Sequence, residues 1–101
     1  MGKKLSKYVQ LDNNGIKRVG YHFRCHGCGS AHGVFTDGKG TPNWTFNGNE
    51  YSPTFSPSVL VTGGDKDGKT ICHSFVKEGK IQYLNDCTHS LSGKTVELKD
   101  F

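Results

Sequence analysis

The chain has 101 residues, 33% of them apolar, with 14 glycines and a net charge of +4. That length leaves no room for two domains, since neither half would bury enough surface. No stretch approaches the ~20 apolar residues of a membrane span. The basic residues are scattered, with a small excess at Lys3, Lys4, Lys7, Lys17 and Arg18. This reads as a solvated surface and argues against nucleic acid as a partner, because a footprint would cluster its charge and interleave aromatics.

No window repeats its apolar residues at helical spacing; short alternating runs between turn residues point to strands instead. In chain order, Tyr8 to Leu11 reads as a strand and Asn13-Asn14-Gly15 as a hairpin turn. Ile16 to Arg24 alternates and delivers the chain to Cys25. His32 to Thr36 is a third run, Asp37 to Pro42 a loop, and Trp44 to Phe46 leads into a turn at Asn47-Gly48. Ser58 to Thr62 follows Pro53 and Pro57, and Thr62 to Thr70 is a polar loop. Ile71 to Val76 and Ile81 to Leu84 form the clearest hairpin, turning through 77–80, and Thr95 to Leu98 is a last strand. The expected fold is all-β, with at most one short helix and roughly six to eight short antiparallel strands. It forms one small domain over residues 1–101, stapled by a zinc knuckle.

A chain this short and glycine-rich needs a staple. Met1 to Lys7 is positively charged but no apolar run follows, so a reducing, cytoplasmic setting is expected. There, closely spaced cysteines favour metal over disulfide. Cys25-His26-Gly27-Cys28-Gly29 is a knuckle pattern, in which a tight turn aims both sulfurs at one point. A redox pair would call for a βαβ setting that is absent. Structural Zn2+ needs two more ligands. Cys72 and His73 are strand neighbours that leave on opposite faces, so only one can face the metal; Cys72 is expected to. His32 is the expected fourth ligand, with His89 a close rival and Cys87 an alternative.

Polar residues remain in clusters once those ligands are set aside: 53–58, His73 and 86–89. A hydroxyl, an imidazole and a carboxylate are the parts of an acyl-transfer site. Ser58 would be the nucleophile, His73 or His89 the base, and Asp86 the orienting group. The plainer alternative is that Ser56, Ser58, Asp86 and Thr88 serve turns. Asp65-Lys66-Asp67-Gly68 echoes a calcium loop but lacks its downstream ligands. Gly63 and Gly64 lack a phosphate-loop pattern.

The motifs F-R-C-H-G-C-G-x-x-H, W-T-F-N-G-N, P-T-F-S-P-S, C-H-S-F-V-K-E-G-K-I-Q-Y-L and D-C-T-H-S-L-S-G-K-T-V-E-L occur in order, across about residues 22 to 98. Together they resemble a small family common in phages and prophages, often mislabelled ammonia monooxygenase. Members also stand beside bacterial ubiquitin-like conjugation genes. The resemblance implies a deubiquitinase-like peptidase role. Cys25, Cys28, His32 and Cys72 fall on the family's metal-type positions. Ser58, His73, Asp86 and His89 fall on its other polar positions. Relatives often carry Ser in place of Cys87, and His26 departs from a more usual proline. The monooxygenase label finds no support here, since the chain offers neither a membrane span nor a copper site.

The expected function is a zinc-stabilised serine hydrolase, a peptidase or esterase acting on a ubiquitin-like protein or its conjugates. It would work in the host cytosol if phage-encoded. The alternative is a non-catalytic zinc-binding module that occupies a host protein, using Trp44, Phe46 and Tyr51 as exposed aromatics. A hydrolase with catalytic zinc is disfavoured, because three thiolates damp Lewis acidity.

Overall fold

The computed structural model describes residues 2–62 and 71–101. The calcium-like stretch at 65–68, Gly63, Gly64 and all of the 62–70 loop after Thr62 lie outside the described residues. Among the described residues the structure is all-β. Nine strands run β1 Leu5–Leu11, β2 Lys17–Cys25, β3 Ser30–Phe35, β4 Thr45–Phe46, β5 Phe55–Ser56, β6 Val59–Thr62, β7 Ile71–Lys77, β8 Lys80–Tyr83 and β9 Thr95–Glu97. No helix among them is long and apolar enough to cross a membrane. Three antiparallel sheets result, ordered β1-β2-β3, β4-β5 and β6-β7-β8-β9.

Both long hairpins follow from local chemistry. Asp12 Oδ1 accepts from the amides of Asn14 and Ile16, closing the β1–β2 turn. Between β7 and β8 only Glu78 and Gly79 turn, with φ of 51° and 78°. Two consecutive positive φ values make the two-residue turn whose twist suits a hairpin. This turn is shorter than the four residues expected, because Lys77 and Lys80 still pair. It is also pinned from outside: Gly79 N donates to Pro53 O, and Glu78 N to Thr54 Oγ1.

The core lies between the first and third sheets. Leu5, Phe23, Cys25 and Val34 come from one, and Val59, Cys72, Val76, Ile81 and Tyr83 from the other, with Phe55, Cys87 and Leu98 completing it. Strand alternation decides which side chains enter. In β7 Cys72, Ser74 and Val76 are buried, while Phe75 and Lys77 are exposed and His73 is half-buried.

Arg18 corrects the reading of a solvated basic surface. On β2 it alternates away from Phe23 and Cys25, yet it is fully buried, because the 37–43 loop folds over it. Its Nε donates to Asp37 Oδ1 at 2.8 Å, its Nη2 to Pro42 O at 3.0 Å, and its guanidinium lies 4.5 Å over the Phe35 ring. Burial would raise the Asp37 carboxyl, but bonds from Arg18, Val19 N and Lys39 N outweigh it and hold the pKa at about 2.

Candidate active site and metal centre

On the outward face of the third sheet, β6 and β7 run antiparallel with Leu60 opposite His73. Ser58 directly precedes β6. Its Oγ lies 2.9 Å from His73 Nε2, and His73 Nδ1 lies 3.0 Å from Asp86 Oδ2. An ionised carboxylate can only accept, so Nδ1 carries the proton and Nε2 is left to accept from the Ser58 hydroxyl. Hydroxyl, imidazole and carboxylate are thus joined in one relay, open to solvent on the Asp86 side. The arrangement can draw a proton from Ser58 while Asp86 holds the ring and its tautomer.

The backbone around the relay is held from behind. Trp44 Nε1 donates to Ser58 O at 3.2 Å. β8 ends at Tyr83, so the ladder beside His73 must be completed otherwise. Leu84 N donates to His73 O, and the buried Cys87 thiol accepts from His73 N at 3.2 Å and donates to His73 O at 3.1 Å. Cys87 therefore takes the place of a strand partner for the imidazole's own residue.

On the inner face of β7 the chemistry changes. The ligand atoms of Cys25, Cys28, Cys72 and His89 all lie within 4.8 Å of one another. Cys25 and Cys72 Sγ are 3.6 Å apart without a disulfide. Two sulfurs each 2.3 Å from a tetrahedral zinc would be about 3.8 Å apart, so the spacing fits. Cys28 N points at Cys25 Sγ, and Tyr83 OH lies 3.2 Å from the same sulfur. The His89 ring fills the space at Gly27, where a Cβ would come within 2.3 Å of it, and His89 Nε2 is buried with no partner among the described residues. Three thiols and an imidazole with an orphaned nitrogen suit a divalent metal. The Cys25 thiol is pushed down, chiefly by its hydrogen bond with Cys72, with burial opposing. Cys72, the other partner of that bond, is pushed up.

A family model described as "Bacterial ubiquitination-like system serine protease (BubE)" matches residues 3–84. The chain belongs to the BubE family. No curated protein and no solved structure matches it.

In this BubE-family chain the residues singled out from sequence separate into two groups. Ser58, His73 and Asp86 meet on one face of the sheet; Cys25, Cys28 and Cys72 meet on the other. His32, expected as the fourth ligand, lies outside the cysteine group. It pairs with Phe23, two residues along the ladder from the Cys25–Ser30 pair, and packs edge-on to Phe23 at 5.8 Å. It stays near enough to help pull the Cys25 thiol down. His89, weighed as a base, is directed to the cysteines instead; the hydrogen bonds of Ser58 and Asp86 are made with His73. Cys87 is bound to the His73 backbone and is not part of the metal group. Tyr83 was not anticipated, although its inward position two residues after Ile81 was readable from alternation. Trp44 and Phe46 are half-buried against the core, and of the three aromatics expected outside only Tyr51 is exposed.

Proposed function

We propose that the chain is a serine hydrolase of a bacterial ubiquitin-like conjugation system, with Ser58 as nucleophile, His73 as general base and acid, and Asp86 as the orienting group. The observation that carries this is the continuous Ser58–His73–Asp86 hydrogen-bond relay, at 2.9 and 3.0 Å. The family description supports a protein substrate in that system.

In the reaction Ser58 Oγ bonds to the substrate's acyl carbon while its proton passes to His73 Nε2. The carbonyl–leaving-group bond breaks, and His73 returns that proton to the departing amine or alcohol. Water, deprotonated by His73, then attacks the acyl-Ser58 ester; the bond between the acyl carbon and Ser58 Oγ breaks, His73 returns the proton to Oγ, and the acid leaves. Asp86 stays ionised and stabilises the imidazolium at each stage.

Cys25, Cys28, Cys72 and His89 would hold a structural zinc. When bound, that ion supplies a cross-link and no chemistry at the reacting bond. Three thiolates and an imidazole would fill its four positions, and Cys72 leaves β7 on the face opposite His73. The test is cleavage of a ubiquitin-like fusion or ester adduct by the metal-loaded protein. Ser58→Ala is expected to abolish turnover with the fold intact, and unchanged turnover removes Ser58 from the mechanism.

A further inference from the structure

Alternation puts two apolar side chains beside the relay on the exposed face of the third sheet. Leu60, 56% exposed, stands directly across from His73; Phe75, 40% exposed, follows His73 on the same face, with the buried Ser74 between. One position beyond the Val59–Ser74 pair stand Ser58 and Phe75. Neither Leu60 nor Phe75 belongs to the core cluster. Beside Phe75, between β5 and the β7–β8 hairpin, lies a cavity of ≈ 360 Å³ walled by Phe75, Phe55, Ser56, Thr54, Lys77 and Gln82. The wall carries a cation at Lys77 and an amide at Gln82, and its most exposed apolar side chain is Phe75.

We propose that this cavity is the acyl-side specificity pocket, and that it takes one bulky aliphatic side chain of an extended polypeptide tail whose terminal carbonyl is delivered to Ser58. The proposal rests on the hydrolase reading. The argument is positional. Successive same-face residues in a strand are about 6.8 Å apart, so a tail running beside β6 and β7 passes Phe75 within a few residues of the acylated carbon. Apolar walls select aliphatic side chains, and Lys77 repels a basic one. Among the described residues, no acidic side chain lines the cavity to attract a Lys or Arg.

The test uses N-acetylated tripeptide p-nitrophenyl esters with the full, metal-loaded chain. Starting from all-glycine, leucine or lysine is walked through each of the three positions. Leucine at one position is expected to raise kcat/KM by about tenfold or more over glycine, and lysine there to give no gain. Within Phe75→Ala the leucine-to-glycine ratio at that position is expected to fall below about threefold. Gln82→Trp, which fills the cavity from an exposed position on β8, is expected to do the same. Absence of any leucine preference, or a preference that survives both variants, overturns the pocket while Ser58-dependent hydrolysis stands. Ester turnover that persists in Ser58→Ala overturns the hydrolase reading, and the pocket with it.

Discussion

Cys72 and His73 are neighbours in β7, and the strand's pleat sends one to the cysteine group and the other to Ser58 and Asp86. The same division recurs after β8, where Asp86 reaches His73 and His89 reaches the cysteines. Two segments thus each give one residue to the relay and one to the metal group. A metal joining Cys72 to His89 would therefore fix the separation of His73 and Asp86 without touching either.

Metal removal should consequently lower activity through geometry. Protein purified without added metal is expected to contain one zinc per chain by elemental analysis. Cys28→Ser changes the exposed member of the cysteine group, and it should weaken zinc binding by more than the 10–100-fold typical of an outer-shell partner. Activity and zinc content should fall together and recover together on adding metal. A zinc-free protein with full activity would break the link.

Gly27→Ala should act on the same site. Its Cβ would stand within 2.3 Å of the His89 ring, so the ring must move out of the ligand group. Zinc titration against a chromogenic chelator should show weaker binding. Unaltered affinity would mean that His89 is not a ligand.

Cys87 should matter through the backbone it holds. Cys87→Ala leaves the His73 N–H without its partner, at a cost of about 1–3 kcal/mol, and Cys87→Ser should retain both bonds. Urea denaturation measures the first effect. In kinetics, kcat should drop in the alanine variant with KM little changed, and serine should restore it.

The β1–β2 and β7–β8 hairpins, the knuckle and the opposite facing of Cys72 and His73 were all readable, because local alternation and turn chemistry govern them. β5 was not, since two residues carry no period. The choice between His32 and His89 depended on how residues 86–89 fold back toward the knuckle, which is a tertiary matter. Arg18 looked like any surface cation, because only the 37–43 loop closing over it makes it buried.

That buried cation gives a pH prediction. The Asp37 carboxyl is held at about 2 against 3.8 for a free group, so the unfolded chain binds its proton first on acidification. Its contribution to stability is complete above about pH 4 and is lost as pH falls toward 2. Asp37→Asn should flatten that part of the Tm–pH curve relative to the parent. Arg18→Ala, which removes the buried cation that bonds Asp37 Oδ1 and Pro42 O, should lower the urea midpoint at neutral pH.

The most direct measurement is covalent labelling by a fluorophosphonate, with the modified residue mapped by mass spectrometry. Attack by Ser58 Oγ on phosphorus expels fluoride and passes the hydroxyl proton to His73. One adduct per chain, on Ser58, is expected in the metal-loaded protein, with the labelling rate falling by about 100-fold or more in His73→Ala. A folded, zinc-containing protein that takes no label, or takes it equally well without His73, would contradict the account.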